Sequence, residues 1–418
     1  MKGTDTLRIA MISYHTSPLA QPGVGDGGGM NVYVRQLATA LARMGNHCDV
    51  YTRADGQTGP GTVRVEPGFE VHYVAAGPTE DVPKERLLHF VRDFTEGVLR
   101  HIKEKRGNKV DLVHANYWLS GIAGHTIKHE LNVPLFTSFH TLEKAKRIGR
   151  VSPDDGYDST VRVWHEQRVM GCSDAILTSC SPEAEWITRL YGLSPAQTRI
   201  VPLGVERAYF APGDKKMARK ALGLPQEGKI VLSVGRIQPL KGFLLGAEAI
   251  DLVAQELDVH YVLVGGPSGF DGVSEFERIR RYGALGGLKE RLHLFAPQPH
   301  ELLSSFYRAC DLVLVPSRTE SFGLVALEAS ASGRPTVASA VGGLLTLVKH
   351  GRTGHLVKER TPRSFAQSIR DIIGESDRNE EMGEQAYLHT RDFTWSQSAK
   401  CVLDILEDSL SNELVLCG

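Results

Sequence analysis

Two carboxylates stand at the ends of an apolar stretch, ESFGLVALE, at Glu320 and Glu328. A helical pattern resumes at Phe322 or Gly323, which predicts Glu320 in a loop and Glu328 about one to two turns into a helix. We predict that Glu320 accepts hydrogen bonds from sugar hydroxyls and Glu328 from a ribose diol. The simpler alternatives are an acidic helix cap at Glu320 and a solvated charge at Glu328.

The start of this helix is itself a candidate binding element. The first N–H groups of a helix lack intrahelical acceptors, so they suit phosphate or sugar oxygens. The residues that offer them are Ser321, Phe322, Gly323, Leu324 and Val325.

Two cations follow the first predicted strand of the second half, in the segment VGRIQPLKG. Arg236 and Lys241 lie in a loop bounded by glycine and proline, just beyond the carboxyl end of that strand. Arginine binds an oxyanion through a bidentate fork and lysine binds it as a point charge, so the pair predicts an anion site. The alternative is two solvated cations.

A glycine-rich loop opens the first half, in QPGVGDGGGMNVYV at residues 21–34. Its five glycines precede a predicted helix, and glycines let backbone N–H groups approach a phosphate. The alternative is a flexible turn. The pattern is not GxGxxG, and Tyr51-Thr52-Arg53 end the second strand where a dinucleotide site wants an acid. An NAD-dependent oxidoreductase is therefore disfavoured.

The bulk properties indicate a globular protein of two domains. The 418 residues exceed what one hydrophobic core usually supports. A net charge of −1 gives no general attraction to nucleic acid or to a membrane surface. The six cysteines show no CxxC spacing, which argues against a zinc site and fits a reducing cytoplasm. No apolar run approaches the roughly 18 residues of a membrane span.

Short apolar runs alternate with amphipathic helical patterns in both halves, which predicts two Rossmann-like α/β domains with doubly wound parallel sheets. The predicted strands are residues 7–13, 48–53, 71–76, 111–116, 134–140, 175–180 and 199–204, then 229–236, 260–266, 292–297, 312–317 and 335–339. We place the domains at 1–208 and 209–395, with a linker at 210–216 and a terminal helix in 396–418 that packs back on the first domain. Ligands of such sheets bind beyond the carboxyl ends of the strands, here in a cleft between the domains.

These motifs carry a family resemblance. Glu320 and Glu328 match the EX7E motif of retaining glycosyltransferases of family 4, whose fold is GT-B. The similarity covers nearly the whole chain, through ISYHTSP, GDGGGMNVYV, DLVHANYWLSG, SFHTL, VGRIQPLKG, GGPSG and YRACDLVLVPSRTESFGLVALEASASG. Within the family, the chain resembles the enzymes of the mycothiol pathway. The resemblance implies that the first domain binds an acceptor such as 1D-myo-inositol 3-phosphate and the second a nucleotide sugar resembling UDP-GlcNAc.

The resemblance assigns roles on the donor side. Arg236 and Lys241 would bind the diphosphate of the donor. Glu328 would hold the ribose and Glu320 the transferred sugar. The backbone near Gln298 would contact the nucleobase, and UDP and GDP both stay open.

The resemblance also places residues near the reacting centre. Gly28 and Gly29 would lie by the diphosphate, and His15 and Asn31 would face the acceptor. His140 would contact the sugar near the anomeric carbon, with a satisfied core histidine as the alternative. Retention by a covalent route needs a carboxylate nucleophile, and none stands out. The family route is a front-face displacement in which the leaving diphosphate takes the acceptor's proton.

By the same resemblance, an acceptor-phosphate pocket falls on Lys84, Tyr117, Thr141 and Arg162. Two cations and two hydroxyls can jointly satisfy a dianion. Each residue also has an ordinary alternative. Lys84 can be a solvated helix start, Tyr117 a core aromatic, Thr141 a cap and Arg162 a surface ion-pair partner.

The chain departs from this subfamily at several positions. Asn116 stands where histidine is usual, Val163 where a second arginine is frequent, and Leu345 where proline follows VGGL. These changes favour, as a second interpretation, an antibiotic-pathway enzyme with a carboxylate, thiol or aminocyclitol acceptor. No cofactor is expected for catalysis. Mg²⁺ is left open as a structural ion, but Arg334, in ASGRP where a small residue is commoner, argues against it. The family also suggests a homodimer.

Two further classes compete with a transferase. A sugar-nucleotide epimerase of GT-B fold needs no acceptor pocket, and the set Lys84, Tyr117, Thr141 and Arg162 argues against it. A non-catalytic nucleotide-sugar-binding protein would not need all of Arg236, Lys241, Glu320 and Glu328.

Overall fold

Two mainly parallel sheets flanked by helices organise the chain. The structure is a computed structural model that describes residues 6–25, 27–80, 82–104, 109–148, 159–411 and 413–415, without the side chains of Lys84 and Glu85. By internal contacts it divides into unit 1 (Met1–Ala20, Gly29–Pro202 and Trp395–Gly418) and unit 2 (Gln21–Gly28 and Leu203–Thr394). Both are α/β domains, as the alternating pattern predicts.

The division at Leu203 precedes the boundary predicted at 208/209. The reason is local hydrogen bonding, since Val205 N–H donates to the Phe393 carbonyl oxygen over 3.1 Å. This bond ties the segment after Leu203 to the end of unit 2. The segment 210–216, predicted as a linker, accordingly lies within unit 2.

Unit 1 contains an eight-stranded sheet. Its strands are β1 (Arg8–Ile12), β2 (His47–Arg53), β3 (Gly61–Glu66), β4 (Phe69–Val74), β5 (Leu112–Asn116), β6 (Leu135–Ser138), β7 (Ala175–Thr178) and β8 (Thr198–Ile200). The order is β3-β4-β2-β1-β5-β6-β7-β8, and every pairing is parallel except that of β3 with β4. The sequence prediction missed β3 because most of its residues are exposed and form no apolar run.

Besides the last helix of the chain, six α-helices accompany these strands in the described part of unit 1. They are α1 (Gly29–Arg43), α2 (Val91–Glu104), α3 (Trp118–Leu131), α4 (Glu143–Ile148), α5 (Ser159–Cys172) and α6 (Ser181–Tyr191). The helix predicted over 86–103 is divided, because Lys84–Phe90 form a 3-10 helix before α2. Phe94, Val98 and Ile102 recur every fourth residue on α2 and are buried in the core of unit 1.

Unit 2 contains a six-stranded sheet with parallel pairings throughout. Its strands are β9 (Lys229–Val234), β10 (Val259–Val264), β11 (Leu292–Phe295), β12 (Leu312–Val315), β13 (Thr336–Ser339) and β14 (Gly354–Val357). The order β11-β10-β9-β12-β13-β14 is the 3-2-1-4-5-6 order of the Rossmann fold. The sequence prediction found all of these strands but β14, a four-residue segment that begins at a glycine.

The helices of unit 2 cover its sheet. They are α7 (Lys215–Leu222), α8 (Phe243–Val253), α9 (Gly272–Leu285), α10 (His300–Ala309), α11 (Leu324–Ala331), α12 (Leu344–Leu347), α13 (Pro362–Ile373) and α14 (Ser376–His389). The last helix of the chain, α15 (Trp395–Leu410), belongs to unit 1 and packs on α1. Among the described residues, no helix has both the length and the apolar character needed to cross a bilayer.

Candidate active site

The strand order of unit 2 reverses at β9, with β10 and β11 on one side and β12 to β14 on the other. Loops that leave the carboxyl ends of strands at such a point diverge and open a crevice for a ligand. Arg236 and Lys241 follow β9, and Glu320 and Glu328 follow β12. The topology therefore brings these four sequence-predicted residues to one edge of the sheet.

Glu328 lies in α11 with only 7% of its side chain exposed, which excludes a solvated surface charge. His300 Nε2 donates to its Oε1 over 2.8 Å, and the Tyr307 hydroxyl donates to its Oε2 over 2.6 Å. Burial, together with the charge of Glu328, raises the pKa of Tyr307, so its hydroxyl stays a donor. A carboxylate has about four lone-pair positions, and two therefore remain for a diol. The sequence reasoning missed both partners, which lie on α10.

Lys241 and Glu320 form an ion pair of 2.7 Å between Nζ and Oε2. Ser317 Oγ also donates to Oε2 over 3.3 Å. An ammonium group has three N–H donors, so Lys241 can hold Glu320 and still donate to a phosphate. No donor to Glu320 Oε1 is found in the part of the chain that the structure describes, and this oxygen can accept from a sugar hydroxyl. The pair orients both groups for their predicted roles.

Backbone contacts with Gly343 fix the loop that carries Glu320. Gly343 N–H donates to the Glu320 carbonyl oxygen over 3.1 Å. A Cβ on Gly343 would lie 2.3 Å from Cα and the carbonyl oxygen of Phe322, so only glycine permits this approach. Gly323, with φ of 103°, is the N-cap residue before α11, and Leu324 and Val325 lie in the first turn of the helix. Backbone contacts thus set where the helix starts relative to Glu320.

Arg360 is a residue of this edge that the sequence analysis missed. It follows β14, and its Nη2 donates to the Pro316 carbonyl oxygen over 2.6 Å. A Cβ on Gly242 would lie 2.8 Å from the same nitrogen, so the guanidinium lies between the loop of Lys241 and the loop of Glu320. Burial, and then the nearby charge of Arg318, lower the pKa of Arg360 to about 10. The surroundings of this half-buried cation therefore favour an anion nearby.

Two further donor-side predictions concern the rest of unit 2. A Cβ on Gly28 would lie 3.4 Å from Arg236 Nε, so this end of the glycine-rich loop supports the guanidinium. Gly29 instead begins α1 in unit 1. Gln298 lies between β11 and α10, with its side-chain amide donating to the Ala296 carbonyl oxygen over 3.0 Å.

The environment of Arg334 bears on the question of Mg²⁺. Its Nε donates to the Tyr307 carbonyl oxygen over 3.1 Å, and its Nη2 donates to that of Arg308 over 2.9 Å. These carbonyl oxygens already face a guanidinium cation, which repels a second cation. The residues around Arg334 therefore do not fit Mg²⁺.

In unit 1, strained backbone marks two of the predicted residues. Tyr117 has φ of 82° and ψ of 156° after β5, and His140 has φ of 60° after β6. The first conformation is normally restricted to glycine, and both are costly for other residues. Such strain persists where the surrounding structure imposes it, commonly at functional sites. Both residues lie at the carboxyl edge of the sheet, where ligands of this fold bind.

His140 is a neutral imidazole. Burial, and secondarily His114, lower its pKa to about 3. Its Nε2 lies 2.9 Å from Asn116 Oδ1, and because an amide oxygen only accepts, Nε2 carries the proton. Asn116 therefore sets the tautomer of His140. The ring also packs edge-on against Tyr33, with 4.8 Å between centroids.

The predicted acceptor residues His15 and Asn31 both lie beside the loop after β1. The ring of His15 packs on the ring of Tyr117, with 4.4 Å between centroids. Asn31 is buried, and its Nδ2 donates to Thr16 Oγ1 over 2.8 Å and to the Ser17 carbonyl oxygen over 2.6 Å. Asn31 thus holds the loop after β1. Direct contact of Asn31 with an acceptor stays a prediction.

Arg162 is buried, so the alternative of a surface ion-pair partner does not apply. Only 3% of it is exposed. Its Nε donates to Glu166 over 2.8 Å and its Nη1 to the Tyr117 hydroxyl over 3.3 Å. Its Nη2 donates to the carbonyl oxygen and Oγ1 of Thr141, over 2.8 and 3.1 Å.

The guanidinium therefore contacts Tyr117 and Thr141, and the joint binding of a phosphate by these residues stays a prediction. A second carboxylate, Glu143, lies 3.5 Å from Nη1 of Arg162. Sequence reasoning missed both Glu143 and Glu166, although Glu166 stands one helical turn after Arg162 and was a readable signal. The side chain of Lys84 lies outside the part of the chain that the structure describes.

Comparison with known proteins identifies the family. Residues 28–204 match the family model described as "Glycosyl transferase 4-like domain", and residues 214–389 match "Glycosyl transferases group 1". A protein of Catenulispora acidiphila named "D-inositol 3-phosphate glycosyltransferase 2" is 40% identical over 411 residues, which cover 97% of this chain and 96% of that protein. The chain is a glycosyltransferase of family 4.

Other relatives agree with this assignment of the glycosyltransferase. A D-inositol 3-phosphate glycosyltransferase of Acidothermus cellulolyticus is 40% identical over 412 residues, covering 97% of this chain and 91% of that protein. Among solved structures, sucrose-phosphate synthase from Thermosynechococcus elongatus aligns with a TM-score of 0.89 at 30% identity, over 97% of this chain and 99% of that one. The predicted GT-B fold, with two Rossmann-like domains, is confirmed.

Proposed function

We propose that the enzyme transfers a sugar with retention of the α-anomer from a nucleotide sugar resembling UDP-GlcNAc to a small polar acceptor of the inositol phosphate type. The observation that carries the donor side is the buried Glu328, oriented by His300 and Tyr307 at the switch point of unit 2. The names of the relatives support the acceptor type.

In the proposed donor complex, Glu328 accepts the two ribose hydroxyls with its remaining lone pairs. Arg236 and Lys241 donate to the diphosphate, whose negative charge grows as the bond to the sugar breaks. The first N–H groups of α11 add to this stabilisation because they lack intrahelical acceptors. Each such group contributes about 2.7–4 kcal/mol to the transition state, by analogy with a single oxyanion donor.

The proposed chemistry needs no protein nucleophile. A hydroxyl of the acceptor forms the new bond to the anomeric carbon on the face that the diphosphate leaves, and its proton passes to an oxygen of the diphosphate. Glu320 Oε1 holds a hydroxyl of the transferred sugar while Oε2 stays with Lys241. His140 is neutral and its one N–H, on Nε2, faces Asn116, so the ring contacts the sugar only as an acceptor and adds no positive charge.

A second candidate acceptor is favoured by the surroundings of Arg162. Glu143 and Glu166 both lie against its guanidinium, so the subsite does not present an unopposed positive charge. This arrangement favours an acceptor that carries a hydroxyl or an amine, as an aminocyclitol does, in place of the phosphate.

The test is an NMR assay of the purified enzyme with UDP-GlcNAc and inositol 3-phosphate, with free inositol and an aminocyclitol in parallel. We expect an α-linked product with one of these acceptors. A β-linked product would contradict retention. Conversion of UDP-GlcNAc to its epimer without acceptor would replace the transferase proposal by the epimerase alternative.

A further inference from the structure

Two loops of unit 2 carry charged residues of the proposed donor site. The β9 loop (residues 235–242) and the β12 loop (residues 316–323) leave neighbouring parallel strands at the same edge of the sheet. The Arg318 N–H of the β12 loop donates to the Leu240 carbonyl oxygen of the β9 loop over 2.8 Å. The two loops are therefore in direct backbone contact.

Arg360 brings a third segment of the chain to these loops. It follows β14, and its Nη2 donates a charge-assisted hydrogen bond to the Pro316 carbonyl oxygen of the β12 loop over 2.6 Å. In the β9 loop, a Cβ on Gly242 would lie 2.8 Å from the same nitrogen and 2.3 Å from the Pro316 oxygen. Glycine at this position thus leaves the space in which one guanidinium contacts both loops.

The ion pair of Lys241 with Glu320 depends on the separation of the two loops. It joins Nζ in the β9 loop to Oε2 in the β12 loop over 2.7 Å, and the two side chains are 23% and 18% exposed. An ion pair that water can reach contributes little unless both partners are held in place, because solvent screens both charges. The contacts of Arg360 with the backbone of both loops supply this constraint.

The position of Arg360 is electrostatically unfavourable. Its Nε is buried without a hydrogen-bond partner, and a buried donor that lacks an acceptor lowers stability. Arg318 adds a like charge nearby, and no carboxylate forms an ion pair with Arg360 among the residues that the structure describes. The contacts with the β9 and β12 loops therefore outweigh the cost of placing the guanidinium here.

We propose that Arg360 is a positioning residue of the donor site, which holds the β9 and β12 loops at the separation that the ion pair of Lys241 with Glu320 requires. The inference rests on the proposed function, which assigns the donor diphosphate to Lys241. In this role Arg360 contacts neither the sugar nor the diphosphate. Its removal lets the loops move apart, so that Lys241 loses the carboxylate that orients it and donor binding weakens.

The first measurement needs no ligand. The bond from the Arg318 amide to Leu240 protects this amide, so hydrogen–deuterium exchange in peptides of the β12 loop reports whether the loops stay together. Arg360→Met removes the charge and the donor, whereas Arg360→Lys keeps a charged donor. Arg363→Met, which replaces an exposed arginine at the start of α13, is the matched control. We expect exchange at Arg318 to rise about tenfold in Arg360→Met and to stay near wild type in the other two variants.

The second measurement separates positioning from direct contact with the donor. Calorimetry gives the Kd of UDP for Arg360→Met, both alone and combined with Lys241→Ala. We expect Arg360→Met to raise Kd about tenfold when Lys241 is present and less than about twofold when it is absent. The reason is that a residue that acts through Lys241 has little left to affect once that side chain is removed.

Unchanged exchange at Arg318 in Arg360→Met would overturn the proposal. So would an equal loss of UDP affinity with and without Lys241, because Arg360 would then contact the diphosphate directly or act only through overall stability. Should Arg360→Met not fold, Arg360→Gln is judged by the same criteria.

Failure of the proposed function has a different signature. A wild-type enzyme that binds neither UDP nor GDP would refute the proposed donor, and GDP replaces UDP in the calorimetry if it alone binds. The exchange measurement is made without a nucleotide, so it still shows whether Arg360 holds the two loops together. The two ideas can therefore fail separately.

Discussion

At the scale of single residues, Arg236 and Lys241 are the two cations that the proposed transfer assigns to the donor diphosphate. We expect Arg236→Ala and Lys241→Ala each to lower kcat/KM at least a hundredfold, because each removes a donor worth about 2.7–4 kcal/mol in the transition state. Steady-state kinetics with UDP-GlcNAc checks this. Lys216→Ala, an exposed cation close to the start of α7, is the control and should leave turnover unchanged. Near wild-type turnover in either site variant would refute the charge assignment.

The orientation of Glu328 by Tyr307 gives a second residue-scale prediction. Tyr307→Phe removes the donor to Oε2, so the carboxylate loses one of its two fixed contacts. We expect the donor KM to rise about tenfold and the free energy of unfolding to fall by about 1–3 kcal/mol, the cost of an unsatisfied buried group. The control is Tyr282→Phe, which removes a similar hydrogen bond from a tyrosine hydroxyl to a carboxylate, that of Asp251, elsewhere in unit 2. If both variants change the donor KM equally, Tyr307 has no special role.

The residue types of the donor side could be predicted from sequence, but their partners could not. Glu320 and Glu328 are recognisable from their own apolar segment. His300 and Tyr307 lie on another helix, and only the packing of α10 beside α11 brings them to Glu328. The same holds for Arg162, since its tight network with Tyr117 and Thr141 depends on contacts between distant segments. The spacing of residues in the sequence can identify a charged side chain, but it does not show which residues form its hydrogen bonds and ion pairs.

At the scale of elements, the turn beneath the Glu320 loop decides where α11 begins. Gly343→Ala places a methyl group 2.3 Å from the Phe322 backbone, which the loop can relieve only by moving. We expect the donor KM to rise at least tenfold as Glu320 and the start of α11 shift. Gly171→Ala in α5, where a Cβ meets nothing within 4 Å, is the control. An unchanged donor KM in Gly343→Ala would show that this contact does not position the site.

Strands could be predicted from the sequence where their buried residues form an apolar run. The buried parallel strands of both units appear in the sequence as short apolar runs, and all of them except β14 were predicted. Strand β3 is mostly exposed, so its residues carry no such run. Its signal was the turn Pro67-Gly68, where Gly68 has φ of 83° and allows the chain to reverse into β4.

At the scale of the whole molecule, the last helix, α15, returns to unit 1 and packs on α1. Trp395 is 7% exposed at the start of α15, and its ring faces Tyr33 of α1 with 6.1 Å between centroids. We expect Trp395→Ala to lower the free energy of unfolding by about 3–5 kcal/mol. Urea titration measures this, with Leu410→Ala, exposed at the other end of α15, as the control. Equal effects of the two variants would contradict this packing role.

We propose that unit 2 binds a nucleoside diphosphate at the edge of its sheet where β9 and β12 diverge. The most direct measurement is a crystal structure of the enzyme with bound UDP or GDP. We predict the diphosphate within hydrogen-bonding distance of Arg236 and Lys241, and both ribose hydroxyls on the carboxylate of Glu328. A nucleotide bound elsewhere, or bound there without contact to these three side chains, would rule out this donor site.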